Sequence, residues 1–229
     1  MDWDAFSISL QLAAATTVIL LLGSVWLARW LAWSSFPGRS LVEGVVALPL
    51  VLPPTVLGYY LLVAFSRDSL LGRVFETATG TTLAFSFSGL LLASLVYSLP
   101  FAVQPLLRAF EAIPPRLREA AWCSGLGGWA TFWRVELPLA WPGVLSAAVL
   151  TFAHTLGEFG VVLMVGGNIP GSTRTLAISI YDRTQAFDDA AAGSMSLLLL
   201  GFALVTVSVV YAVERRRAQL PKAAGQVAP

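Results

Sequence analysis

Residues 119–138 read EAAWCSGLGGWATFWRVELP, and this charged stretch lies between segments that are as apolar as membrane-spanning helices. Pro114-Pro115 comes shortly before it, and proline is well tolerated at the first position of a helix. Gly125 and the two glycines that follow it predict a turn, because glycine readily adopts the left-handed conformation in which helices often end. We expect a second short helix over Trp129–Glu136, ended by Leu137-Pro138. The stretch is therefore predicted to be a helix–turn–helix at the membrane surface.

The composition around this stretch is that of a membrane protein. The 229 residues are 57% hydrophobic and 12% charged, whereas a soluble domain has about 25% charged residues. A net charge of +1 provides no basic surface for nucleic acid. One cysteine and one histidine give neither a disulfide nor a metal-ligand cluster. The P-loop pattern GxxxxGK[ST] is absent from the sequence, so we expect no cofactor here and ATP to be bound by another chain.

The apolar segments predict an all-α, polytopic membrane protein. A spanning helix needs about 20 mostly apolar residues. Five segments reach that length, at about residues 6–33, 41–65, 83–107, 142–166 and 191–213.

Arginine and lysine residues predict the orientation, because they are enriched in cytoplasmic loops. If the stretch at 119–138 lies inside, ten basic residues lie inside and four lie outside. Five spans then place the N-terminus outside and the C-terminus inside. The inner group is Arg29, Arg39, Arg108, Arg116, Arg118, Arg134, Arg215, Arg216, Arg217 and Lys222, and the outer group is Arg67, Arg73, Arg174 and Arg183.

The spacing of Glu119-Ala120-Ala121, Gly125, Val135 and Leu137-Pro138 resembles the EAA loop of ABC-importer permeases, the cytoplasmic loop that docks on the ATPase subunit. Val135 stands where isoleucine is commoner. The resemblance implies a docking loop over residues 111–140, here called the EAA loop. The docking residues it implies are Glu119, Ala120, Ala121, Gly125, Leu137 and Pro138. Local chemistry alone also allows an amphipathic interfacial helix without a partner.

Two further segments indicate which subfamily of ABC-importer permeases the chain resembles. LPLVLPPTVLGYYLLV (48–63) and HTLGEFGVVLMVGGNIPGSTRTLAISIY (154–181) are similar to molybdate ABC-transporter permeases, although sulfate and thiosulfate permeases share GEFG. The resemblance implies one transmembrane domain over residues 1–229 with the type I ABC-importer permease fold, in the bacterial inner membrane. It also implies a second copy of the chain, two ATPase subunits that bind ATP and Mg²⁺, and an external or periplasmic molybdate-binding protein. Molybdate and tungstate are not distinguished.

Two other classes of function were weighed. An ion-coupled secondary transporter is disfavoured because no internal repeat is visible, and such repeats are common in those proteins. An integral-membrane enzyme is disfavoured because the residues give no catalytic pair. A sulfate or thiosulfate permease remains the alternative within the resembling family.

Polar residues inside the spans are candidates for the pathway. Glu158 lies four residues after His154 and is either a gate latch or half of a static pair that fixes helix packing. Pro53 and Pro54 break the second span beside Thr55, either next to the pathway or as a remote kink. Ser94 either lines the pore or joins helices. Arg174, in a predicted outer loop, meets an incoming anion or a binding protein, or is an ordinary solvated charge.

Overall fold

The computed structural model describes residues 1–218, except for the side chains at positions 209, 210 and 213–218, so the predictions on Arg215, Arg216, Arg217 and Lys222 lie outside the described residues. Within this range the chain is helical and contains no strand, as expected for an all-α protein. One turn, Phe132–Glu136, is π-helical. The helices are α1 (Trp3–Trp33), α2 (Arg39–Val51), α3 (Pro54–Phe65), α4 (Leu70–Thr79), α5 (Phe87–Glu111), α6 (Pro115–Cys123), α7 (Gly128–Thr131), α8 (Leu137–Leu156), α9 (Gly160–Gly166), α10 (Leu176–Gln185) and α11 (Asp189–Ala218).

Helices α1, α5 and α8 pack together at the centre of the molecule. Gly143 of α8 permits this approach, because a Cβ there would lie 2.3 Å from the Cβ of Ala109 on α5. The end of the bundle that carries the EAA loop is called the loop end. There Leu31, Phe110 and Phe132 are buried in one apolar cluster. The opposite end of the bundle is called the far end. There Leu12 packs with other buried residues from α5, α9 and α10.

Among the described residues, four long helices are apolar enough to cross a membrane: α1, α5, the continuous helix Gly128–Leu156, and Asp189–Ser208 of α11. The first and last of them match the predicted spans at 6–33 and 191–213. Helix α5 is shifted toward the C-terminus relative to the predicted 83–107. Its start is fixed by Ser86, whose side-chain oxygen accepts a hydrogen bond from the Gly89 N–H (3.1 Å).

The predicted span at 41–65 is not one straight helix. Helices α2 and α3 meet at a bend of 109°, at Pro53-Pro54, where proline removes backbone donors and cannot continue the preceding helix. The pair still runs from end to end. Arg39 forms an ion pair with Glu111 at the loop end (2.6 Å), and Phe65 packs with the residues that precede α5 at the far end. Counted as one crossing, the pair gives five.

The predicted span at 142–166 is also wrong in its bounds. Helix α8 begins at Leu137, ends at Leu156, and is followed after a break by α9. Leu137-Pro138 therefore does not end a helix, because the chain is helical on both sides of it, from the π-helical turn Phe132–Glu136 into α8. Helix α8 is followed by Gly157, and the chain resumes as α9 at Gly160.

Candidate functional site

The EAA loop forms the predicted helix–turn–helix. Helix α6 begins at Pro115, as expected. It ends at Cys123, and Gly125, two residues further on, has a φ of +80°. The N–H of Gly125 donates to the carbonyl of Trp122 (3.0 Å), and the N–H of Leu126 donates to that of Ala121 (3.1 Å). This pattern satisfies the carbonyls at the end of the helix and requires a residue that tolerates positive φ, so the turn is rigidly defined.

The family-like positions of the loop meet around one groove. The groove, of about 470 Å³, opens between α6 and the start of α8. Glu119 lies exposed beside it on α6. Gly125 shapes the turn, and Leu137 is half-buried behind the groove wall. The lining residues are Leu117, Ala120, Ala121, Ser124, Leu126, Arg134, Val135, Pro138 and Leu139.

Sequence analysis assigned no role to Glu136, which is the most buried charged residue of the loop, with a fully buried side chain. Its Oε2 accepts a hydrogen bond from Nε of Arg29 on α1 (2.6 Å), and its Oε1 accepts one from Nε of Arg118 on α6 (2.9 Å). The available signal was a glutamate and an arginine placed in strongly apolar helices, where charged groups require partners. Their separation in sequence gave no means of pairing them.

Aromatic side chains enclose this ion-pair cluster. The guanidinium of Arg118 lies 3.9 Å from the ring centre of Trp33 and 4.9 Å from that of Trp122. Trp26 of α1 stacks on Trp129 of α7, with ring centres 5.5 Å apart. These rings shield the charges from water, which strengthens the ion pairs. The loop is thus attached to the end of α1 by polar and aromatic contacts.

The bent α2–α3 crossing packs against α9, and the two segments form a second candidate region. A Cβ on Gly160 of α9 would lie 2.7 Å from the Cβ of Pro54 on α3, and one on Gly58 would lie 2.9 Å from the Cβ of Met164. Thr55, next to this contact, is exposed. Helix breaks inside a membrane protein free backbone groups that need polar surroundings. This region therefore combines Pro53, Pro54 and Thr55 with the break that carries Glu158.

Glu158 and His154 are held by two different serines of α5 and not by each other. The hydroxyl of Ser94 donates to Oε2 of Glu158 (3.3 Å), and Ser98 lies 3.0 Å from Nδ1 of His154. Ser94 is fully buried and Glu158 is 5% exposed. The other oxygen of Glu158, Oε1, has no hydrogen-bond partner among the described residues. In this arrangement Ser94 joins helices, which favours the packing alternative over pore lining.

Arg174 is engaged within its own segment. Its Nε donates to the side-chain oxygen of Asn168 (2.7 Å), and its terminal nitrogen lies 3.6 Å from Asp182. Asn168 also donates to Asp182 (2.8 Å). Arg174 is therefore part of a polar cluster at the far end, only partly exposed, and not a freely solvated charge.

The fold and these two regions define a class of protein: a polytopic membrane protein with a helix–turn–helix loop at one end of its bundle. The chain belongs to the family of binding-protein-dependent transport system inner membrane components, whose model matches residues 10–219. It is 47% identical over 219 residues to a molybdenum transport system permease protein of Azotobacter vinelandii, covering 96% of this chain and 97% of that protein.

Two other similarities locate the chain within this family. It is 32% identical over 213 residues to a sulfate transport system permease protein of Synechococcus elongatus, covering 93% of this chain and 74% of that protein. Among solved structures it resembles a bacterial ABC transporter involved in the import of the acidic polysaccharide alginate, with a TM-score of 0.74 and 18% identity. That match covers 93% of this chain and 78% of the solved chain and confirms the predicted ABC-importer permease fold.

Proposed function

We propose that this chain forms the translocation pathway for molybdate, or a close tetrahedral oxyanion such as tungstate, in an ATP-driven importer. The similarity to molybdenum permeases along nearly the whole chain supports this cargo. A sulfate or thiosulfate permease is the alternative, which the lower identity to a sulfate permease supports less. An ion-coupled secondary transporter has no comparable support.

The observation that carries the coupling part of this proposal is the groove of the EAA loop. Ala120, Ala121, Val135 and Pro138 are separated in sequence, yet they line one open concavity with exposed Glu119 beside it. Small side chains allow close approach of a partner, and the exposed carboxylate offers a polar contact at the rim. This geometry suits docking of an ATPase subunit, one on each of two permease copies.

The pathway is proposed to lie between two copies of the chain. Five crossings hardly enclose a wet passage, and a dianion in hydrocarbon is prohibitively costly. The broken α2–α3 crossing exposes large apolar side chains, with Val51 80% and Tyr60 64% exposed. A second copy packed there would bury this surface beside Thr55. An external binding protein is proposed to deliver the oxyanion at the far end, and the loop end is proposed to face the cytoplasm.

The experiment is reconstitution of the full chain with a co-expressed ABC ATPase and an oxyanion-binding protein in liposomes. We expect a stable complex and ATP-dependent uptake of molybdate. Excess sulfate should not inhibit this uptake. Preferential uptake of sulfate would support the alternative. Uptake that follows an ion gradient without the ATPase would contradict the proposal.

A further inference from the structure

We propose that Glu136 is a positioning residue that couples the EAA loop mechanically to α1. Glu136, Arg29 and Arg118 together are called the strut below. The inference rests on the proposed docking of an ATPase at the loop and names the connection through which the movement of the loop would reach the transmembrane helices.

The strut joins three elements that the sequence keeps apart. Arg29 belongs to α1 and lies 107 positions from Glu136, whereas Arg118 belongs to α6 and lies 18 positions away. Both oxygens of the carboxylate are used, and an additional contact joins Arg29 Nη2 to Oε1 (3.4 Å). One carboxylate thus connects the helix that would be docked, the turn that leads into α8, and the end of the first transmembrane helix.

The local backbone of Glu136 is unusual as well. It closes the π-helical turn Phe132–Glu136, in which the N–H of Leu137 donates to the carbonyl of Phe132. Such a turn contains one residue more than an α-helical turn and is frequently found at functional sites. Here the turn also buries Phe132, whose ring lies 5.5 Å below the guanidinium of Arg29. The π-helical turn and the strut therefore hold each other in place.

The connection resists sliding because the carboxylate of Glu136 is buried. A buried carboxylate cannot move away from its cations without leaving unpaired charges out of water, which is strongly unfavourable. The other ion pairs at the loop end differ in their carboxylates, since Glu43 and Glu111 are 39% and 28% exposed and can exchange partners with water, whereas the side chain of Glu136 is fully buried. Apolar contacts also allow two helices to slip. The strut consequently makes the EAA loop and the end of α1 move as one body.

The test compares transport with ATP hydrolysis in the reconstituted complex. Glu136→Gln keeps the size of the side chain and removes its charge, Glu136→Asp keeps the charge, and Glu43→Gln is the control at an exposed ion pair. We expect Glu136→Gln to copurify with the ATPase and to hydrolyse ATP, while molybdate uptake per ATP falls roughly tenfold. Glu136→Asp recovers most of that ratio, and Glu43→Gln keeps the wild-type ratio.

If Glu136→Gln does not assemble with the ATPase, a second pair of variants tests whether the strut couples the EAA loop to α1. Arg29→Gln cuts the link to α1 and leaves Glu136 paired with Arg118, whereas Arg118→Gln leaves the link to α1 intact. We expect Arg29→Gln to lower uptake per ATP more than Arg118→Gln does. A wild-type ratio in Glu136→Gln or in Arg29→Gln, or a proportional loss of uptake and hydrolysis, would overturn the strut. A wild-type complex that neither assembles nor transports would contradict the proposed function instead.

Discussion

At the scale of single residues, the two buried carboxylates among the described side chains differ in what surrounds them. Glu136 is held by two arginines, so its charge is neutralised and both of its oxygens are bonded. Glu158 meets only the hydroxyl of Ser94 among the described residues and leaves Oε1 without a partner. A carboxylate facing a passing oxyanion would repel it, and the burial of Glu158 away from water is consistent with a role in joining α5 to the break after α8.

A substitution at Glu119 tests docking of the ATPase without disturbing the fold. It is exposed on α6, beside the groove. We predict that Glu119→Lys abolishes copurification with the ATPase and oxyanion uptake, because it reverses the charge at the proposed contact. Membrane insertion should be unchanged, since an exposed surface substitution usually alters stability by about 0.5 kcal/mol or less.

The measurements are pull-down of the ATPase, uptake in cells and the amount of chain in the membrane. Asp68→Lys is the matched control, because Asp68 is an exposed carboxylate outside the EAA loop. Normal uptake by Glu119→Lys would end the assignment of the docking loop.

At the scale of helices, the two breaks share one contact. Helix α3 begins at Pro54 and helix α9 begins at Gly160, and these two residues touch. The absence of a side chain at Gly160 lets the two helix starts approach, which places the α2–α3 bend against the break after α8. The close packing of α3 on α9 therefore depends on Gly160, together with Gly58 on the other side of the contact.

We predict that Gly160→Ala weakens this contact, because the added Cβ would lie 2.7 Å from the Cβ of Pro54. Forcing an extra methyl group into a packed interface costs about 1–3 kcal/mol. Uptake should fall and the thermal unfolding temperature of the purified chain should decrease. Gly157→Ala is the control, because its nearest atom, the carbonyl oxygen of Ala153, lies 3.6 Å away. Equal behaviour of the two variants would show that the contact has no such role.

At the scale of the whole molecule, the course of the chain determines how many times it crosses the membrane. The part of the chain that the structure describes has four long apolar helices and one bent pair, and the ends of the pair lie at opposite ends of the bundle. If the pair is one crossing, the number of crossings is odd and the termini lie on opposite sides.

We predict five crossings with the N-terminus outside. A reporter that works only in the cytoplasm should be active after Lys222 and inactive after Met1. The same reporter inserted between Arg67 and Arg73 should be inactive, because that segment follows the far end of α3. Activity at this insertion would overturn the orientation.

The proposed pathway between two copies predicts thiol accessibility. In a Cys123→Ser background, Thr55→Cys should react with water-soluble thiol reagents, because Thr55 is exposed beside the α2–α3 bend. Trapping nucleotide on the ATPases should change its rate, as expected for alternating access. Ser94→Cys should be less reactive in the conformation described here, since Ser94 is fully buried. A Thr55→Cys variant that stays unreactive in every nucleotide state would remove this bend from the pathway.

The sequence alone determined the features that depend on composition and on local backbone chemistry. An apolar chain with few charges belongs in a membrane, and membrane burial of backbone groups requires helices. Pro115 and Gly125 predicted where α6 begins and ends, because proline and glycine act on their own backbone. The same local reasoning found the bend at Pro53-Pro54, although not its angle.

Only the tertiary structure decided which distant groups meet. Arg29 and Glu136 are 107 positions apart, and Ser94 and Glu158 are 64 positions apart, so no local pattern could pair them. The structure also decided that α8 begins at Leu137-Pro138 and breaks after Leu156. A proline near a helix boundary is compatible with an end or with a beginning. Here the chain stays helical on both sides of Leu137-Pro138, and Phe132 before the pair and Ala140 after it are both buried in the core at the loop end.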